Sequence, residues 1–418
     1  MKKKRPGSVR PIITKKWGSR KWRLIIFIIA FPTWMISSTR SCITRIPGRT
    51  SCRSRKILFT GSPLKTGTVK MLLQSPYQTY KRYRSLQTHK ISAMPIVILM
   101  PHSACNCRCV MCDIWKGNQD LKQLSEADVL DLLTTLKNLG TRQVLMSGGE
   151  ALLNPNFFRF CEILKTENIK ISLLSTGLTL KKNAENLVKW VDDIIVSLDG
   201  DGATHDLIRN IPGAFHKMTE GIKAIRLLKP SFRITGRTVI HRLNYASWPQ
   251  IIESAKHIGL DQISFLPADV SSHAFNREVL WSEKRQHEVL PEEKELDELK
   301  RVIDYLFTNN KHDFDRRFIA ESREKIHNIW SYYAAFYGYN SFPYKKCNAP
   351  WVSVVVEADG TVRPCFFHEA MGNINHTSLE KIINSQSAIE FRKNLDMEKN
   401  ETCKKCVCYL NLSPGTIL

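Results

Sequence analysis

Between Ala93 and Leu266 the chain alternates six times between a short apolar, β-branched run and an amphipathic stretch of helical period. The runs Ala93–Met100, Gln143–Ser147, Ile169–Ser175, Asp193–Leu198, Phe232–Ile240 and Gln262–Leu266 are expected strands. Between them, Glu126–Leu139, Phe157–Thr166, Ala184–Trp190, Ala214–Leu228 and Trp248–Ile258 are expected helices, the first opened by Ser125 and Asp128 as a capping pair. Strands separated by helices pair in parallel, because the crossover returns the chain to the same end of the sheet. Six such units, rather than eight, predict an α/β fold: an open, partial, six-unit β/α barrel. In that architecture chemistry gathers at the C-terminal ends of the strands.

The polar residues at those ends are distinctive. The first strand runs out into Cys105-Asn-Cys-Arg-Cys109-Val-Met-Cys112, in which Cys105, Cys109 and Cys112 have the spacing C-x3-C-x2-C and Cys107 is spare. Soft thiolates this close together suit an iron–sulfur cluster or zinc, and three ligands leave one iron of a cubane open. A zinc knuckle or buried thiols remain open on spacing alone. The second strand ends in Ser147-Gly148-Gly149-Glu150, where glycines let backbone approach a ligand and a carboxylate can pair with an ammonium. Ser175-Thr176-Gly177 ends the third strand and Ser197-Leu-Asp199-Gly200 the fourth; these donors and acceptors suit a ribose or a carboxylate, or plain turn chemistry. Arg209 is either a carboxylate partner or half of a structural ion pair, and Asn244 is a cap.

Beyond the sixth unit, Leu290–Asn309 reads as a charged helix and Asp313–Tyr339 as an aromatic one that packs. Val352–Val356, Asp359-Gly360 and Thr361-Val362 form a hairpin signal. Cys347 and Cys365 flank it, and Cys403-x2-Cys406 follows. Four thiolates make one closed cluster or a zinc ribbon, with Cys408 left over. Nine of the twelve cysteines fall in the two regions 105–112 and 347–408, a clustering that suggests metal ligation in a reducing compartment rather than a disulfide framework. Cys161 is expected to be a buried helix residue; Cys42 and Cys52 are assigned nothing.

Charge separates the ends of the chain. Residues 1–90 hold 22 Lys and Arg and no acid, out of a net charge of +23, so the rest is nearly neutral and gives no electrostatic case for nucleic acid. Residues 1–70 read as a basic, disordered leader or an upstream extension of the reading frame, with translation starting at Met71. The apolar run Leu24–Ile36, interrupted by Pro32, is short for a span; a membrane-tethering leader is the second reading. Residues 71–90 are expected as a short helix, 91–290 as the barrel, 291–345 as a helical linker and 346–418 as a small cysteine-rich C-terminal domain.

The stretch from Cys105 to Trp115, with Gly148-Gly149-Glu150 in register behind it, resembles the cluster loop and Gly-Gly-Glu motif of radical S-adenosylmethionine (SAM) enzymes. The resemblance implies that Cys105, Cys109 and Cys112 bind a 4Fe–4S cluster whose open iron takes the amino and carboxylate groups of SAM. It further implies reductive cleavage to a 5′-deoxyadenosyl radical and hydrogen abstraction from a substrate. Glu150 would meet the methionine amino group, with Ala151 where relatives commonly have proline; Gly148, Gly149, Ser175, Thr176, Ser197, Asp199 and Arg209 would complete the cofactor site. The region from Cys347 resembles the shortened "Twitch" form of the SPASM extension, which implies one auxiliary 4Fe–4S cluster on Cys347, Cys365, Cys403 and Cys406. Expected partners are a peptide or small-molecule substrate and a reductant such as flavodoxin or ferredoxin, in the cytoplasm. A different class of reading is a non-catalytic iron–sulfur or zinc protein whose basic leader binds nucleic acid.

Overall fold

The computed structural model describes residues 66–418, all of which belong to one compact unit. The basic run, the apolar stretch Leu24–Ile36, Cys42 and Cys52 lie outside the described residues. Six strands, β1 (Ile96–Leu99), β2 (Gln143–Met146), β3 (Lys170–Ser175), β4 (Asp193–Ser197), β5 (Arg233–Ile240) and β6 (Gln262–Pro267), pair in parallel in sequential order. Helices α2 (Glu126–Asn138), α3 (Phe157–Lys165), α4 (Leu180–Trp190), α5 (Gly202–Arg209), α6 (Ala214–Leu228) and α7 (Trp248–His257) connect them, behind an N-terminal α1 (Thr66–Thr88). At the start of α2 the expected capping box forms: Asp128 N–H donates to Ser125 Oγ at 3.2 Å and Ser125 N–H to Asp128 Oδ2 at 2.7 Å.

β6 does not close on β1, so the barrel is open. Segment 318–320 seals that edge: Ile263 N–H donates to the Phe318 carbonyl (2.8 Å) and Ala320 N–H to that of Ile263 (2.9 Å). Covering the edge prevents a row of bare backbone groups from templating aggregation. The same job explains why the aromatic stretch after Asp313 is broken, with a short helix at Lys311–Asp315 and the longer one only at Arg323–Phe336.

The other margin was not anticipated. β1 is buried along its whole length and needs a partner on both sides, and it takes β2 on one and β7 (Ser353–Val356) on the other. β7 is itself fully buried, and it runs parallel to β1 from Ile96↔Ser353 to Leu99↔Val356. β8 (Thr361–Arg363) and β9 (Gly372–Asn373) then pair antiparallel, so the C-terminal region extends the barrel sheet to nine strands. Continuity of this kind fixes the second cysteine region relative to the first. Two helical readings also shift. α4 starts four residues early because Leu180 is itself core, and α5 is an additional helix capped by Asp201, whose Oδ1 accepts the Thr204 N–H at 3.1 Å. On α1, Tyr77, Tyr80 and Tyr83 face outward while Arg82 and Ser85 face the body. Among the described residues, no helix is long and apolar enough to cross a membrane.

Candidate metal and cofactor site

The loop that leaves β1 is anchored from four sides. Met100 N–H donates to the Val356 carbonyl of β7 (2.9 Å), and Asn118 clamps Cys105, accepting its N–H (3.0 Å) and donating to its carbonyl (2.9 Å). Arg108 and Val110 donate their N–H groups to the carbonyls of Arg209 and Ile208, both at 3.0 Å, at the end of α5. The fourth anchor is the glycine pair. Gly148 has φ +107, and a Cβ on Gly149 would sit 2.1 Å from the Ala104 carbonyl oxygen, which also accepts the Glu150 N–H at 2.9 Å. These glycines are therefore needed first for the cysteine loop to seat on β2.

The loop opens onto a cavity of about 1360 Å³ at the C-terminal ends of the strands. Cys105, Cys109 and Cys112 line it, and so do Gly148, Gly149, Ser175, Thr176, Ser197 and Arg209. Glu150 and Asp199 do not: both are fully buried behind the wall. Glu150 accepts from Ser175 Oγ (3.0 Å), Thr176 N–H (2.8 Å) and Thr176 Oγ1 (2.7 Å), while burial pushes its carboxyl above the usual range. Asp199 pairs with Arg209 and accepts the Val239 N–H at 3.0 Å. Arg209 in turn reaches Cys109 Sγ at 3.4 Å. Burial opposes its charge, but Asp199 and the neighbouring thiols more than compensate and hold it protonated. Asn244 is buried and donates from Nδ2 to the Asp199 and Val239 carbonyls, both at 3.0 Å, a structural role.

Cys107 turns the other way. It is buried in the core, is absent from the cavity wall, and its thiol hydrogen-bonds to Cys109. That bond, with Arg209, brings Cys109 down to about 6, whereas burial pushes Cys105 and Cys112 up to about 12. For Cys105 and Cys112 burial outweighs the nearby Arg209 and Arg277, and the charge of a bound metal would favour their thiolates, so the donor set fits a cluster. Among the described residues no group of three or more His, Cys, Asp or Glu converges closely enough for a single ion.

The strap after β6 was not foreseen, because 268–282 has no periodicity and its partners in the cysteine loop, Met111 and Asp113, are more than 150 residues away. Asp269 and Arg277 form an ion pair at 2.5 Å with side chains 1% and 0% exposed, and Arg277 also reaches the Met111 carbonyl (3.4 Å). Arg277 and Arg285 lie 4.0 and 4.5 Å from the Trp281 ring centroid. Trp281 Nε1–H donates to Asp113 Oδ2 at 2.7 Å. Burial works to raise the Asp113 carboxyl, but the hydrogen bonds from Trp281 and Lys116 hold it below its usual value. Trp281→Phe keeps an aromatic ring but loses this donor and part of the buried volume; it should destabilise by at least about 2 kcal/mol, the worth of a hydrogen bond to a charged group. Hydrogen exchange should show lost protection in 269–285 as well as in the cysteine loop.

Across the cavity, the C-terminal region supplies the opposite wall, including Phe366, His368 and Cys408. Behind it a second, smaller cavity gathers Cys347, Cys365, Cys403 and Cys406, together with Cys408. Burial raises Cys365 to about 11 and Cys403 to about 12, and drives Cys406 up too. Thiols spread around one small cavity in this way suit a multi-iron cluster rather than a single ion. His368, which no sequence signal marked, stands on the partition and lines both cavities. Cys161 is buried in α3.

The Radical SAM superfamily model matches residues 99–255, and that of SPASM, an iron-sulfur cluster-binding domain, matches residues 347–407. The subtilosin biosynthesis protein AlbA of Bacillus subtilis is 23% identical over 316 residues, covering 73% of this chain and 62% of AlbA. An AdoMet-dependent heme synthase of Methanosarcina barkeri is 26% identical over 161 residues, 38% of this chain and 46% of that protein. The chain thus spans less than two thirds of the length of these curated relatives. Among solved structures, Streptococcus suis SuiB bound to its precursor peptide SuiA aligns with a TM-score of 0.56 at 14% identity, covering 84% of this chain and 77% of SuiB. The anSMEcpe complex with AdoMet and a Cp18Cys peptide gives 0.55 at 18%, covering 76% and 89%. These likenesses show a shared fold. A radical SAM domain implies a 4Fe–4S cluster and SAM, and a SPASM domain implies auxiliary iron–sulfur clusters. With its cysteine loop at the mouth of an open β/α barrel and its second cysteine set joined to the same sheet, the chain carries a radical SAM domain over residues 99–255 and a SPASM region over residues 347–407.

Proposed function

We propose that this protein is a radical SAM maturase that cleaves SAM reductively and abstracts hydrogen from a peptide substrate. The observation that carries this reading is the single cavity whose walls come from the Cys105/Cys109/Cys112 loop on one side and the C-terminal cysteine region on the other. Its volume, about 1360 Å³, exceeds the usual few hundred to 1,000 Å³ of a small-molecule pocket, leaving room for an extended segment beside a cofactor. AlbA, by name a bacteriocin biosynthesis protein, and SuiB, solved with a precursor peptide, favour a peptide over a small metabolite.

In this reading Cys105, Cys109 and Cys112 hold the first cluster, and Cys347, Cys365, Cys403 and Cys406 hold one auxiliary 4Fe–4S cluster. When bound, the first cluster and SAM supply reductive carbon–sulfur cleavage and a 5′-deoxyadenosyl hydrogen abstractor. The chain's own part is placement. Gly148 and Gly149 seat the cluster loop, Ser197 offers a hydroxyl to a ribose or carboxylate, and Ser175 and Thr176, whose hydroxyl protons go to Glu150, can still accept from a ribose hydroxyl. Arg209 offers a cation at the cavity wall, kept in place by Asp199, and Glu150 orders Ser175 and Thr176 from behind. Arg108, exposed on the cluster loop, suits an acidic reductant such as a flavodoxin or ferredoxin. Anaerobic reconstitution followed by SAM and dithionite tests the reading: 5′-deoxyadenosine should be released, and iron uptake without it would favour a non-catalytic iron–sulfur protein.

A further inference from the structure

His368 sits at the junction of the two cavities. Its Nε2 lies 3.3 Å from Cys403 Sγ, and its ring packs edge-on against Phe391 with centroids 4.9 Å apart. The turn that carries it is held twice over: Arg363 Nη1 donates to the His368 carbonyl (3.2 Å), and Arg363 Nε donates to Glu357 (2.8 Å). In the same turn the backbone N–H groups of Phe367 and His368 point at Cys365 Sγ. One short segment therefore directs three donors at two of the four sulfurs.

We infer that His368 is a positioning residue of the auxiliary centre, donating Nε2–H to the Cys403 sulfur and thereby raising the reduction potential of the cluster held there. The inference rests on the reading of Cys347, Cys365, Cys403 and Cys406 as cluster ligands. A ligating thiolate only accepts, so the tautomer with the proton on Nε2 is the one that fits. Reduction places additional negative charge on the cluster and its sulfurs. A donor aimed at sulfur stabilises that reduced form more than the oxidised one, so the potential rises. Because the ring lines both cavities, this bond links the wall of the large cavity to Cys403.

The test uses the full chain, reconstituted anaerobically with iron and sulfide, and two variants. His368→Phe keeps a ring against Phe391 but has no donor; His368→Gln keeps an N–H donor. Iron content is measured first, then the potential of the auxiliary centre by titration monitored with electron paramagnetic resonance, assigned as the signal that Cys365→Ala removes. All three proteins should hold about eight irons, as two cubanes require. At the native midpoint the reduced-to-oxidised ratio in the Phe variant should fall about tenfold, a shift of about 59 mV for a one-electron couple, with the Gln variant near the native curve. A Phe variant that titrates with the native protein overturns the inference. So does loss of about four irons in both variants, which would make His368 a ligand or a folding residue. If the native protein itself takes up only about four irons, it is the underlying reading of the second cysteine set that fails.

Discussion

Replacing Gly149 with alanine is expected to strip the iron from the first cysteine set while sparing the second. The added methyl would lie 2.1 Å from the Ala104 carbonyl oxygen, with the Ala104 carbonyl carbon at 2.5 Å and the Ser103 oxygen at 2.9 Å. All three atoms are backbone, so no rotamer change relieves the clash, and overpacking of this kind typically costs about 1–3 kcal/mol, occasionally more. The loop has one way out, which is to lift from β2, taking Cys105 with it and losing the Glu150 N–H bond to Ala104. Iron after reconstitution should fall from about eight to about four per chain. Since Gly149→Ala leaves every proposed ligand in place, retention of all eight would show that the glycine pair does not seat the loop.

The second large effect concerns the ion pair behind the cavity wall. Asp199→Asn removes the charge that balances Arg209, whose side chain is 8% exposed, and leaves a buried guanidinium facing the Cys109 sulfur. Breaking one side of such a pair costs about 3–5 kcal/mol, far more than the pair's net worth, because the remaining charge stays buried without compensation. The denaturant midpoint should drop accordingly. Changing both partners to apolar residues of similar volume, Asp199→Leu with Arg209→Met, should restore part of that stability, since no charge is then left buried, although the Val239 N–H loses its acceptor. It should not restore the contact to Cys109. A single variant costing under about 1 kcal/mol would mean that Arg209 finds another partner or reaches water.

The sequence is legible where physics is local. β-branched runs such as Ile96–Leu99 and the alternating β5 mark strands directly, and Ser125 with Asp128 marks a helix start. The cysteine spacings and the paired glycines stood out for the same reason. What could not be read depends on distant partners. That β7 docks on β1 is decided across more than 250 residues by the need of both buried strands for cover. The inward turn of Cys107 and the outward turn of Cys109 follow from contacts with the core and with Arg209. Glu150 and Asp199 were expected in contact with the cofactor; the structure sets both carboxylates behind the wall, where they hold Thr176 and Arg209. The strap of Asp269, Arg277 and Trp281 carries no periodic signal, because its order comes from an ion pair and a stacked cation rather than from an apolar face.

The account stands on three thiolates holding a cluster whose free corner meets SAM in the large cavity. Its most direct test pairs native protein with the variant Cys105→Ala/Cys109→Ala/Cys112→Ala, both reconstituted anaerobically and incubated with SAM and dithionite. The native chain should hold about eight irons and release 5′-deoxyadenosine, and the variant should hold about four and release none. A variant that keeps the full iron load, or a fully loaded native protein that leaves SAM intact, would contradict it.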